Sequence, residues 1–179
     1  PLESDPHEMT FMQWPSRAGI YGGQRELQSV RSTLASIARS ITRFEPVVML
    51  AGAQHSAAAA KALGPGIAVW DIATDDLWCR DSGPAFVVSH DGKSAVCDLG
   101  FNGWGGKQSH ADDGQIARRV ADRLRLPVFA NGIVGESGGV ETDGAGTLLA
   151  HESSWINANR SRRGKKEIER LLLDALGAE

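Results

Sequence analysis

The sequence predicts an α/β chain in which β-hairpins interrupt an alternation of strands and helices. Three observations carry this. Apolar residues recur at three- and four-residue steps over residues 24–42, 113–124 and 165–176. Short strand-like runs are bounded by Gly, Pro, Asn and Asp. Two Asp-Gly turn signals, Asp91-Gly92 and Asp143-Gly144, each separate a pair of such runs.

In chain order, EMTFMQW (8–14) ends at Pro15 and reads as a strand. A helix follows over 24–42, with Leu27, Val30, Leu34, Ile37, Ala38 and Ile41 forming one inward stripe. PVVMLA (46–51) is a buried strand, and an Ala-rich helix over 56–63 stops at Gly64-Pro65. IAVWDI (67–72) is a third strand. PAFVVS and SAVCDLG form a hairpin, then a helix over 113–124 carries Ile116, Val120 and Leu124 inward. PVFA is a strand, GGVETDGAGTLLAH a second hairpin, and residues 165–176 a last helix burying Ile168, Leu171, Leu172 and Leu176. A purely parallel doubly wound sheet alternates strand and helix strictly, so this order does not suit one. It suggests a repeated strand-strand-helix-strand unit. No low-complexity linker interrupts the chain, which predicts one domain over residues 1–179 without an internal boundary.

Composition bounds the function. A chain of 179 residues, 41% hydrophobic and 23% charged, is an ordinary globular composition. No apolar run approaches the ~20 residues that span a bilayer, and the opening PLESDPHE has no signal-peptide character. The expected setting is cytoplasmic. A net charge of −3 argues against nucleic-acid and membrane partners. The one basic run, Arg160, Arg162, Arg163, Lys165 and Lys166, reads as the solvated start of the last helix. Cys79 and Cys97 give neither a disulfide framework nor metal-ligand spacing, and neither metal nor cofactor is expected.

Three stretches could carry chemistry. GESGG (135–139) fits the G-x-S-x-G pattern of a serine-hydrolase nucleophile elbow. An elbow needs a helix after the Ser, whereas a hairpin pattern follows Ser137. The glycines are better explained as a place where the backbone passes close to something. Glu136 can face a ligand there, or be a loop glutamate in water. TDDLWCRDSGP (74–84) sets Asp75, Asp76 and Asp81 around Trp78 in a loop-forming stretch. Carboxylates beside an aromatic face suit a planar cation such as a guanidinium; the alternative is a turn in which Arg80 pairs with an Asp and Trp78 fills the core. FNGWGGK (101–107) places Trp104 among glycines, as an aromatic loop lining a pocket would.

Taken together, these motifs resemble the agmatine deiminases of the bacterial-type peptidylarginine deiminase family. PHEMTFMQWP, DDLWCRDSGPAFVV, DLGFNGWGGK and GESGGVETDGAGTLLAHESSWINANR match the first half of that family in order. The resemblance implies a five-bladed α/β propeller (a pentein) of strand-strand-helix-strand modules, of which this chain holds about half. It implies hydrolysis of a small guanidino substrate: agmatine to N-carbamoylputrescine and ammonia, or an arginine-type substrate. By the same resemblance Asp81 holds the guanidinium, Glu136 binds it or moves protons, and Trp78 and Trp104 line the pocket. Ser137 stands where the family more often has Gly. The family's proton-moving His, in a G-H-x-D segment, and its nucleophilic Cys lie beyond LLLDALGAE. The chain is therefore expected to be inactive alone, and to pair with a missing C-terminal half or a second copy of itself. The alternative is a non-catalytic guanidino-binding module.

Overall fold

The computed structural model describes residues 5–178, which form two compact units, one of Pro6–Cys79 and one built mainly from residues 80 onward. Both mix helices and strands. No described helix is long and apolar enough to cross a membrane.

The first unit is a three-stranded parallel sheet in the order β1-β2-β3. Its strands are β1 (Thr10–Gln13), β2 (Val47–Leu50) and β3 (Ala68–Trp70), in a register that aligns Met12, Met49 and Val69. Two crossover helices, α1 (Gln24–Ile41) and α2 (Ala53–Leu63), connect them. All four residues of the central strand are buried, as its uninterrupted VVML demands. Leu34, Ala35 and Ala38 of α1 close one core with Met12, Trp14, Met49, Ala59 and Leu63. Ile37, expected inside the stripe, is 45% exposed: it lies past the rim of a face that three strands cover.

Polar groups latch this unit. Arg31 is buried on α1, where its Nε and Nη2 donate to the Pro15 carbonyl at 2.9 and 2.8 Å and its guanidinium lies 5.5 Å from the Trp14 ring. Asp75 is ion-paired to Arg17, and the Tyr21 hydroxyl donates to Asp76. Gln13 Nε2 donates to the Asp76 carbonyl at 3.0 Å. Asp75 and Asp76 are therefore internal struts, and their burial is offset by these bonds.

The second unit opens with a single helical turn, α3 (Cys79–Ser82). The hairpin β4 (Ala85–Val88) and β5 (Ser94–Cys97) is antiparallel, and β5 also pairs parallel to β6 (Val128–Phe129). Between β5 and β6 lie the turn α4 (Gly103–Gly106) and the helix α5 (Ile116–Leu124). This is one complete strand-strand-helix-strand module, whereas the first unit has helices in both connections. Strand alternation gives the module two buried faces. Val96 packs with Ala117 and Ala121 of α5, while Cys97 faces Leu99, Ile133 and Trp155. A second hairpin, β7 (Val140–Thr142) with β8 (Leu148–Ala150), leads to the turn α6 (Glu152–Trp155) and the helix α7 (Lys165–Leu176). Ile168, Leu171, Leu172 and Ala175 of α7 join the Cys97 core.

Candidate active site

Three of the four residues singled out from the sequence come together in the second unit. Asp81 lies within α3, and its Oδ2 accepts a hydrogen bond from Trp104 Nε1 at 3.2 Å. The Gly138 N–H also donates to the Asp81 carboxylate, and a Cβ at Gly138 would run into Asp81 Oδ1. Gly138 is thus small because a carboxylate lies over it. Trp78 falls in the first unit and is 51% exposed.

Trp104 holds a backbone that bulky residues avoid, with φ 56° and ψ 42°, between Gly103 (φ 64°) and Gly105 (φ 84°). Such a conformation costs of order 1–3 kcal/mol and persists only where neighbours impose it. The neighbours here are explicit. Asn102 Oδ1 accepts from the Gly105 N–H at 2.8 Å, and Phe101 meets the indole edge-on at 5.0 Å. A surface concavity of about 460 Å³ follows on the same loop, lined by Gly106 to Ala111, but it touches neither carboxylate.

Glu136 is extended (φ −140°, ψ 149°) and leads into a 3₁₀ turn at Ser137–Gly139 and then β7. No helix begins at Ser137, and His151 Nδ1 contacts Ser153 Oγ at 2.9 Å, so a nucleophile elbow is excluded. Two glycines of GESGG lie against the Trp155 indole. A Cβ at Gly135 would come within 2.6 Å of Cη2, and one at Gly139 within 3.2 Å of Cζ2. Trp155 is buried and donates from Nε1 to the Gly139 carbonyl at 2.9 Å. The glycine-rich segment is flat because it rests on an aromatic floor.

Arg160 corrects the reading of the basic run. Its side chain is only 7% exposed, and its Nη2 donates to Glu136 Oε1 at 2.8 Å. Its Nη1 donates to Asn102 Oδ1 at 2.5 Å. Glu136 Oε2 lies 2.7 Å from Nη2, yet it is buried and accepts no hydrogen bond, for the N–H groups do not point at it. Sequence inspection missed Arg160 because it stands among exposed cations. It missed Trp155 because a lone Trp in ESSW has no period to reveal its side.

Burial sets the electrostatics of both carboxylates. Burial raises the Asp81 pKa above the usual carboxylate value, opposed by the Trp104 hydrogen bond and by Arg80, Arg160 and the Gly138 N–H. Burial likewise raises Glu136, with Arg160 opposing and Asp81 reinforcing the shift. Arg160 is the one guanidinium buried beside the two carboxylates, while the exposed Arg80 and Lys107 act on Asp81 and Glu136 from the surface. A carboxylate oxygen that is ion-paired but accepts no hydrogen bond, together with a second carboxylate, can accept N–H bonds from a planar monocation, and an indole can cover its face. Among the described residues no group of His, Cys, Asp and Glu could hold a metal. Cys97 is no ready nucleophile: it is buried, and burial with the nearby Asp98 pushes its thiol up to about 11.

Comparison with known proteins places the chain among relatives. The family model for Porphyromonas-type peptidyl-arginine deiminase matches residues 1–179. The agmatine deiminase of Pseudomonas aeruginosa (strain LESB58) is 37% identical over 189 residues, covering 100% of this chain and 50% of that protein. The solved agmatine deiminase of Enterococcus faecalis superposes with a TM-score of 0.93 at 28% identity, over 100% of this chain and 50% of that one. The chain spans about half the length of the relatives it matches.

Proposed function

Since the chain belongs to the Porphyromonas-type peptidyl-arginine deiminase family, we propose that it supplies the guanidinium-holding half of an agmatine-hydrolysing deiminase. The observation that carries this is Glu136 Oε2, a buried carboxylate oxygen without a hydrogen bond, in a site where Asp81 supplies a second negative charge. A substrate guanidinium brings N–H donors on a rigid plane, and Oε2, ion-paired to Arg160 but accepting no hydrogen bond, can accept one of them.

The reaction replaces one guanidinium nitrogen by water oxygen, giving a ureido product and ammonia. Asp81 and Glu136 accept N–H bonds from the substrate, fix the plane of its central carbon and exclude alternative poses. Glu136, ionised when it holds the substrate, is suited to take up a proton and deliver it to the departing nitrogen. The attacking thiolate and its His partner are assigned to the rest of the complete protein, which we read as a five-bladed α/β propeller with β4-β5-α5-β6 as one blade. The 179 residues alone are then inactive.

The test is ammonia and ureido-product release from agmatine by the complete protein, beside its Asp81→Ala and Glu136→Ala variants. Each variant is expected to lose at least ~10²-fold in kcat/KM, the scale for removing a preorganised electrostatic group. Full activity in both overturns the site. Agmatine binding without any turnover by the complete protein favours a guanidino-binding module instead.

A further inference from the structure

Two loops meet at one side chain. The first carries Trp104, whose unfavourable backbone is held by the Asn102 carboxamide. The second is the turn Asn157–Arg160, in which the Asn159 N–H donates to Asn157 Oδ1 at 3.0 Å and the Arg160 N–H to the Asn157 carbonyl at 3.1 Å. Asn102 Nδ2 reaches across to the Asn159 carbonyl at 2.8 Å. A Cβ at Gly105 would come within 2.6 Å of Asn159 Cβ, so the loops touch with no room to spare. Arg160 then forks, Nη1 to Asn102 and Nη2 to Glu136.

We propose that Arg160 is a positioning residue that ties Glu136 to the Trp104 loop, holding two of the groups around a bound guanidinium in fixed register. The planar fork suits this role: two parallel-planar donors span a carboxamide and a carboxylate, which a single ammonium cannot do. Nη2 hydrogen-bonds Oε1 and lies in ion-pair contact with Oε2, so the same group orients Glu136 while Oε2 still accepts no hydrogen bond. The inference rests on the proposed guanidinium reading only for what occupies the site; the clamp itself is a contact within this chain. The charged groups acting on Glu136 are Arg160, Asp81 and Lys107. Removing Arg160 deletes the one buried cation among them.

The experiment compares Arg160→Gln and Arg160→Lys in the complete protein by three readouts. These are kcat and KM against pH for agmatine, the ¹³C titration of the Glu136 carboxyl (assigned with Glu136→Gln) without substrate, and the Trp104 indole ¹H–¹⁵N signal. Arg160→Gln is expected to move the Glu136 titration and the acid limb of kcat up by ~1–3 pH units, the range for losing an opposite charge at contact. Arg160→Lys keeps a charge but not the fork. Its acid limb should stay within about half a unit of wild type, its kcat should fall about tenfold, and its Trp104 signal should still shift. Should Arg160→Gln not fold, Arg160→Lys carries the test. An unmoved Glu136 titration in Arg160→Gln, or an unmoved Trp104 signal with wild-type kcat in Arg160→Lys, overturns the proposal. If the complete protein hydrolyses no guanidine while both spectroscopic shifts occur, the clamp stands and the functional reading falls.

Discussion

Gly135→Ala is the smallest change that tests how the GESGG segment is seated. Gly135 is buried, its N–H donates to the Leu99 carbonyl at 2.8 Å, and its φ lies outside the left-handed range. The backbone itself therefore tolerates alanine. The obstacle is Trp155, whose Cη2 and Cε3 would lie 2.6 and 2.8 Å from the new methyl. Cζ3 would lie closer still, and carbon contacts settle near ~3.5–4.0 Å, so more than ~1 Å must be found. Trp155 cannot give it cheaply, since it is 2% exposed and bonded to the Gly139 carbonyl at 2.9 Å. Overpacking of this kind costs ~1–3 kcal/mol, and the rigidity of both neighbours puts Gly135→Ala in the upper half. At ~2–4 °C per kcal/mol for a chain of this size, the thermal midpoint should fall by about 4–12 °C. Urea denaturation should show the loss in the midpoint at unchanged slope. Trp155→Ala should itself cost ~3–5 kcal/mol, and in that background Gly135→Ala should be nearly neutral, a coupling of ~1–3 kcal/mol. Equal losses in both backgrounds, or none in wild type, would refute the aromatic-floor argument.

Three further outcomes follow from the same geometry. Gly138→Ala should raise the Kd for agmatine at least tenfold with little change in the thermal midpoint, because its methyl meets the Asp81 carboxylate rather than the apolar core; isothermal titration beside thermal denaturation checks this. Asp81 and Glu136 have raised pKa values, so agmatine binding should weaken as pH falls through a window above the usual carboxylate range. Ligand-free stability runs the other way. A raised carboxyl pKa means the folded state holds extra protons in mild acid, a stabilisation lost as pH rises. Asp81→Asn should therefore be more stable than wild type at pH 8, with the difference vanishing toward pH 4. Finally, a thiol reagent at pH 8 should modify Cys79 in the native protein and spare Cys97, which is buried with its pKa near 11; mass spectrometry of the peptides reads the ratio.

Long periodic elements were legible in the sequence. Helix α7 occupies Lys165–Leu176 and α1 Gln24–Ile41, as their stripes imply, and both Asp-Gly turns join hairpins. The one-turn elements α3, α4 and α6 were not, because four residues cannot display a 3.6-residue period. They are also where the site is made. Asp81 and Trp104 lie on two of these turns, and Trp155 closes the third. The sequence could say that the glycines of GESGG admit a close neighbour, but not that the neighbours are Trp155 and Asp81. Asp75 and Asp76 looked like candidates beside Asp81 because spacing along a loop does not reveal which carboxylates turn inward to Arg17 and Tyr21. Arg160 was hidden for the same reason, in the opposite direction.

The left-handed backbone at Trp104 bears on how such chains drift over generations. Glycine at this position relieves the backbone, and asparagine or aspartate nearly so, but none of them carries an indole to Asp81. Local folding preference and chemistry thus pull the codon in opposite directions, and only continued use of the site keeps tryptophan there. In a lineage that stops using the site, glycine at position 104 improves the loop while erasing the indole donor. Loss of the reaction should therefore be written first at this residue, before the core decays, and a descendant with an intact fold and Gly at this position is expected to be a binder or a bystander rather than an enzyme.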